Sequence, residues 1–567
     1  MKKHMRNRCN FSTFLAGLTL LATTMQASAR GTDTTLPRLE TRGQAIQLLV
    51  DGKPWIALGG EVHNSSASNT RYMASMFDKL ARQHVNTVVT PVYWELMEPE
   101  EGRFDFALVD SQVRQARQHG MRLVLLWFGT MKNAKSTYAP EWVRADLKRF
   151  PRAVTRPSSL PFAQGDAPIS LFGGAIASAD ARAFAQLTAH LAATDPQHTV
   201  IAIQVENETG LLGDSRDRSP AAEAAWNAPV PAAFLDYLDR NEGKLAPALD
   251  ALWRSHGSKR AGTWSEVFGT DWQADEVFMA WAVSRFVDNV AVAGKAKLAL
   301  PMYTNAWLGP QKPGDPAGAY PSGGPVPRVF DVWRAGAPHL DWLSPDVYVD
   351  DFRSWTAAYR QAHNPLFIPE ARFVVGNLFE ALGSHQAIGY SPFGMEDGLP
   401  DNQIGEAYAL LAPILPQLAH AQAQGTVIGW ALAPGERRRA DLGGYTVTVH
   451  GQREALHKML LDMGIPAPAE APERKPQNAG WGVPELTDTR PCGLVLQLGP
   501  DEFLVVGKDL DITFAAKDQP VELARVEEGH YIDGRWVAGR ILNGDERLSI
   551  LPADRLGMVR IKLLRPR

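Results

Sequence analysis

Cysteine is almost absent from this chain: of 567 residues only Cys9 and Cys492 carry a thiol. Cys9 falls in an N-terminal segment that reads as a cleaved leader, so the mature chain keeps one thiol. That excludes an intramolecular disulfide and a structural zinc centre built on cysteines. Excess charge is also lacking. A net charge of −4 offers no basic face to gather nucleic acid or anionic lipid. No nucleotide-binding motif and no internal repeat is visible, and no motif asks for a cofactor or a metal. Past residue 25 no further run reads as a membrane span. The expectation is therefore a chain that depends on core packing, for which 45% hydrophobic residues are ample.

What is present begins with an address. Lys2, Lys3, Arg6 and Arg8 precede an apolar stretch, residues 14–25, and then Ala27-Ser28-Ala29. This pattern predicts a signal peptide over residues 1–29, cleaved after Ala29. No cysteine follows closely, so export without a lipid anchor is expected, to the periplasm or the medium. Sixteen tryptophans are many for one chain. Most fill cores, and some excess suits a protein that stacks sugar rings.

Short apolar runs alternate with helical patterns, which argues for βα units. Strands are predicted at 55–60, 85–92, 122–128, 199–205, 298–303, 340–347, 366–369 and 426–432, the eight that a closed barrel needs. Tyr72, Met73, Met76, Phe77 and Leu80 recur at helical spacing between the first two. Long Pro-, Gly- and Ser-rich connections at 130–180 and 309–327 would wall a pocket. Beyond residue 430 the period becomes two, as in antiparallel strands with one wet face. The expected fold is α/β: a (β/α)8 barrel over 30–430 and a smaller β-sandwich-like domain over 431–567, with a linker at 466–477.

The strand ends carry the chemistry. The fourth run ends Ile203-Gln204-Val205-Glu206-Asn207-Glu208, two carboxylates around an amide where a parallel barrel keeps its active site. Many retaining glycosidases place Asn-Glu there, the amide on a sugar hydroxyl and the Glu as proton donor. The seventh run ends in Glu370, across the barrel mouth from Glu208, and is the candidate nucleophile. The remaining ends supply His63, Tyr93, Glu95, Tyr303, Trp307 and Tyr348, with Asp346 beside the last. The plainer alternative is a satisfied strand-end cluster at Glu206 and Glu208, with Glu370 only pairing Arg372.

Four segments carry a resemblance: Gly59-Gly60-Glu61-Val62-His63, residues 88–106, residues 203–208 and Pro369-Glu370. With them the chain resembles glycoside hydrolase family 35, the β-galactosidases of a large clan of retaining barrel enzymes, over roughly residues 45 to 430. The resemblance implies Glu208 as acid/base, Glu370 as nucleophile, and Glu206, Asn207, Tyr93, Glu95 and Tyr348 as sugar or nucleophile contacts. The family commonly has Asn where Glu95 stands, Ile-His-Tyr around His63 and Tyr where Thr209 stands. It implies a terminal β-galactosyl substrate, in some bacterial members a xyloglucan side chain. Two other readings stay open: a β-mannosidase or β-glucosidase of the same clan, and a secreted sugar-binding protein without catalysis.

Overall fold

The structure, a computed structural model, describes residues 36–566 save 159–166, 313, 400, 466–487 and 533. The leader expected over 1–29 and the linker expected at 466–477 lie outside the described residues. A three-stranded antiparallel sheet, β1 (Arg38–Arg42), β2 (Ala45–Val50) and β3 (Lys53–Trp55), leads into the barrel. Eight parallel strands then close on themselves: β4 (Ala57–Glu61), β5 (Thr87–Tyr93), β6 (Arg122–Lys132), β7 (Val200–Asn207), β8 (Met302–Trp307), β9 (Trp342–Val347), β10 (Phe367–Ala371) and β11 (Gly389–Pro392). Every residue of β5 and β7 is buried. A barrel strand faces side-chain layers within and helices without, so its sequence reads as a continuous apolar run.

Six of these strands fall where the apolar runs predict them, the fifth begins four residues late, at Met302, and the eighth lies elsewhere. β11 is Gly-Tyr-Ser-Pro, four residues with no β-branched side chain. Its glycine is required: a Cβ on Gly389 would lie 2.7 Å from Ala57 Cβ. The run predicted as strand eight is instead β12 (Val427–Ala431), which pairs antiparallel with β15 (Cys492–Gly499). The second sheet system thus starts at Val427, ahead of the expected boundary at 431.

That system has a six-stranded sheet and a three-stranded one. The larger runs β12, β15, β16 (Glu502–Lys508), β20 (Gly557–Leu564), β18 (Glu522–Ile532), β19 (Arg535–Ile541). The smaller is β13 (Arg438–Leu442), β14 (Tyr445–Gly451) and β17 (Leu510–Ala515). Period two is present, but the wet face expected for β15 is not. Leu494 and Leu496 pack into the barrel's core, while Val495, with Phe503 and Val505 of β16, packs into a second core shared with Val447 and Val449 of β14. The central strands are covered on both sides.

The seam between barrel and sheet is the helix Val375–Gly383, all of whose residues are buried. A helix apolar all round has no solvent face to give. Leu378, Phe379 and Leu382, each fully buried, contribute roughly 1.5–3 kcal/mol apiece. On β12 a Cβ at Gly429 would meet Phe379 O at 1.8 Å, so glycine permits the close approach. The helix Trp272–Lys295 is long and apolar enough to cross a membrane by length and composition. Here it packs on the barrel helix Gly174–Thr194, and most of it is buried inside the protein.

Candidate active site

Parallel strands deliver their last residues to one mouth, and there β4, β6, β7, β9 and β10 bring acids and one lysine together. At least one oxygen each of Glu208, Asp346 and Glu370 lies within 4.8 Å of the others. Strand pairing explains this in part: Glu370 stands opposite Asp346 in the β10–β9 register, and Trp307 opposite Asp346 in β8–β9. Asn305 ties the cluster to the backbone. Its Oδ1 accepts from Glu208 N at 2.9 Å and its Nδ2 donates to Asp346 Oδ2 at 2.6 Å. Tyr348 OH donates to Glu370 Oε1 at 2.7 Å. Arg372 pairs with Asp350 at 2.9 Å, so the strand-seven carboxylate is free of the rim ion pair weighed for it.

Burial and mutual charge set the protonation. Burial first, and the charge of Glu370 second, push Glu208 up to about 8, while Lys132 pulls it back. The same causes hold Glu61 and Asp346 well above the usual carboxylate range. Burial keeps the Tyr303 and Tyr348 phenols neutral, again with Glu370's charge contributing. One group therefore carries a proton through neutral pH beside another that two neighbours orient or crowd. A buried carboxyl that keeps its proton beside a second carboxyl is placed to act as an acid. The three clustered oxygens are also close enough to share a cation, and the charge of Lys132 already reaches Glu208 and Asp346.

Around this centre several polar atoms are buried with no hydrogen-bond partner in the protein. They include both amide atoms of Asn207, Glu61 Oε1, Asp346 Oδ1, Glu370 Oε2 and the Tyr303 hydroxyl. Buried polar groups are almost always satisfied, so a convergence of orphans marks where a polar ligand binds. Tyr303 lies flat on Trp342, with ring centroids 4.9 Å apart, which fixes its hydroxyl toward the acids that raise it.

The other sequence-predicted residues are arranged around the centre unevenly. His63 is half-buried, with Nε2 2.6 Å from Asp397 Oδ2 and its ring edge-on to Phe393. Tyr93 accepts from Ala67 N at 3.2 Å and packs on Phe128 and Tyr138. Glu95 begins past the strand, on the short helix Trp94–Met97, and faces Arg144 at 3.6 Å. Trp307 is half-buried at the end of β8. Glu206 departs most. Its oxygens accept from Thr130 N at 3.3 Å and Met131 N at 2.5 Å, and it lies against Asp180, which accepts from Trp127 Nε1 and Thr130 Oγ1. Both carboxyls are pushed up by burial. They act as a buried clamp on the end of β6.

The backbone explains that departure. Glu206 and Glu208 both sit in the left-handed region, at φ 61° and 44°. Such residues cost roughly 1–3 kcal/mol each and persist where surrounding structure holds them. The simple alternation of a strand is broken at both acids, so spacing alone does not say which way they face. Asp180 and Lys132, which sequence reasoning passed over, lie in the long segment read as a loop. β6 in fact runs on to Lys132, with its register to β7 shifting between Trp127 and Lys132.

Comparison with known proteins adds a family signal to this geometry. A family model described as "Beta-galactosidase", that of glycoside hydrolase family 42, matches residues 64–269. A second, described as a domain of unknown function (DUF5597), matches residues 404–552. A curated β-galactosidase of Xanthomonas manihotis is 30% identical over 218 residues, 36% of this chain and 31% of that one. The chain thus matches about a third of that relative's length. Among solved structures, a β-galactosidase from Bacillus circulans sp. alkalophilus is similar at TM-score 0.46 and 11% identity, covering 90% of this chain and 99% of that one. A family 42 β-galactosidase from G. stearothermophilus is similar at TM-score 0.45 and 12% identity, covering 89% and 98%. Neither family match touches residues 1–29, so the expected signal peptide has no support from them. The family 35 assignment is corrected by the same finding. Strand-end motifs such as Asn207-Glu208 belong to a whole clan and do not tell its families apart. Over residues 64–269 the family signal is that of the family 42 β-galactosidases.

Proposed function

We propose that the protein is a retaining β-galactosidase that removes terminal β-galactosyl units by double displacement. The observation that carries this reading is the Glu208–Glu370 pair, with oxygens within 4.8 Å of one another. Retaining glycosidases keep their carboxyls about 5–5.5 Å apart, and inverting ones about 6.5–9.5 Å, to admit a water between acid and sugar. Glu370, on its Tyr348 hydrogen bond, attacks the anomeric carbon. Glu208, protonated at neutral pH, gives its proton to the leaving oxygen. Water activated by Glu208 then releases the sugar from Glu370. The galactosyl specificity is supported by the family model and the Xanthomonas relative.

Tyr348 tests the nucleophile's setting. A hydrogen bond to a charged carboxylate is worth about 1.5–3 kcal/mol. Tyr348→Phe is expected to lower kcat by about 10- to 100-fold with an unchanged melting temperature. A kcat within twofold of the parent's would show that the contact does not matter to the reaction.

The sugar is tested by ratio. The orphan polar atoms around Asn207, Glu61 and Tyr303 would satisfy an axial 4-hydroxyl in galactose and stay unpaired against the equatorial one of glucose. Sites built to bond a hydroxyl discriminate by about 10⁴ or more. The expected result is a specificity constant for nitrophenyl β-galactoside far above those for β-glucoside and β-mannoside. A ratio near one, or a reversed one, defeats the galactosyl reading and leaves the retaining mechanism standing. Galactosylated xyloglucan oligosaccharides belong in the same panel, as the plant-derived substrate that the long loops would suit. Activity in the periplasmic fraction rather than the cytoplasm would support export.

A further inference from the structure

Lys132 has no part in the mechanism above, yet it is built into the same mouth. It ends β6, stands opposite Asn207 in the β6–β7 register and is only 6% exposed. A tight turn holds it: Lys132 N donates to Lys135 O at 2.8 Å, and Lys135 N to Lys132 O at 3.0 Å. Between them Asn133 and Ala134 both adopt the left-handed region, at φ 52° and 55°. Their amides donate to the carbonyls of Asn207 and Glu208, at 3.2 and 3.0 Å. The backbone that carries the lysine and the backbone that carries the acid/base are thus one hydrogen-bonded unit. Two strained residues in succession are tolerated where the geometry serves a site. From behind, the Asp180–Glu206 clamp grips Thr130 and Met131. A Cβ on Gly129 would come within 2.5 Å of Glu206 Oε1, so the clamp closes on bare backbone.

The ammonium itself is unsatisfied. It lies 5.0 Å from the centre of the Phe128 ring, and among the described residues no carboxylate oxygen pairs with it within 4.0 Å. Its charge nevertheless reaches Glu61, Glu208 and Asp346. In so closed a mouth water can serve this ammonium only in part, so an acceptor from a ligand would be favourable. The mouth also holds acceptors without donors, at Glu370 Oε2 and Asn207 Oδ1. A hydroxyl group answers both, since it accepts one bond and donates another. A sugar carboxylate answers only the lysine and would meet the charge of the surrounding acids.

We propose that Lys132 is a further substrate-binding residue, whose ammonium donates to a ring hydroxyl of the neutral glycosyl unit seated between Glu208 and Glu370. The hydroxyl's own proton goes to one of the unpartnered acceptors. This inference rests on the β-galactosidase reading and names the positively charged part of its sugar site.

The experiment is a coupling measurement on the full chain. Specificity constants are taken for nitrophenyl β-galactoside and its 2-, 3-, 4- and 6-deoxy forms, with the parent enzyme and with Lys132→Met. Lys132→Gln replaces the Met variant should that fail to fold, with the same expectation. Lys132→Met is expected to lower kcat/KM on the full sugar by about 10- to 100-fold. For one deoxy sugar the parent should lose a similar factor, and the variant should lose almost nothing more. Equal losses for parent and variant at every position, or an unchanged kcat/KM in Lys132→Met, would overturn the contact. A parent enzyme that cleaves no β-galactoside sinks the function reading, and this inference with it.

Discussion

Glu370→Ala is expected to lower kcat/KM by about 10⁴-fold or more on every glycoside that the enzyme cleaves. The loss should not depend on the leaving group, because no glycosyl-enzyme forms without the nucleophile. The structure gives the residue no other duty of comparable size. Tyr348 donates to one of its oxygens, the other has no partner among the described residues, and Arg372 is engaged elsewhere. Removing a carboxylate from a crowd of buried acids also relieves repulsion, so the variant should fold and melt no lower than the parent. Initial rates on nitrophenyl and dinitrophenyl galactosides, beside a melting curve, check both halves. A folded Glu370→Ala enzyme with one-tenth of parental activity would remove Glu370 from the role.

Glu208→Ala should behave differently. Proton donation is worth about 10²–10⁴-fold, and it matters only when the leaving group needs a proton. The variant should lose that factor on alkyl or oligosaccharide galactosides and much less on a dinitrophenyl galactoside. Deglycosylation then lacks its base, and external azide should restore it with a β-galactosyl azide as product. An α-azide would sink the assignment. The pH dependence follows from the same residue. Burial and the charge of Glu370 hold the proton on Glu208 up to about pH 8. In the parent, kcat/KM should fall as pH rises through that value and stay flat just below it. The Glu208→Ala variant should lack this alkaline limb. Once Glu370 is glycosylated its charge is gone, so Glu208 gives up its proton more readily, as the second step requires.

How much of this was legible in the sequence depends on what each residue had to signal. Strands such as 199–205 announce themselves because burial on both faces demands an unbroken apolar run. The two acids that end such runs, Glu208 and Glu370, stood out for the same reason. β11 did not, because close packing against Ala57 selects glycine over any β-branched residue. β12 was mistaken for it, since a sheet strand pressed on a barrel helix is as apolar as a barrel strand. The family resemblance implied Glu206 as a sugar or nucleophile contact, and two residues of regular strand would put it on one face with Glu208. Left-handed backbone at both positions undoes that parity. Asp180 and Lys132 gave no signal at all. Their partners are distant in sequence, Trp127, Thr130 and Glu206 for Asp180 and the acids of the mouth for Lys132, and no local spacing records them.

The helix Val375–Gly383 has a consequence for how this protein is put together. It has one flank in the barrel and the other against β12 and β15. Residues 35–567 form a single compact unit. The C-terminal sheets are therefore not a detachable cassette. A chain that lost them would need a different helix at this place, with a polar flank, and a chain that acquired them had to change its barrel as well. The boundary drawn between them in the sequence falls inside a shared core, and the helix Val375–Gly383 belongs to both sides of it.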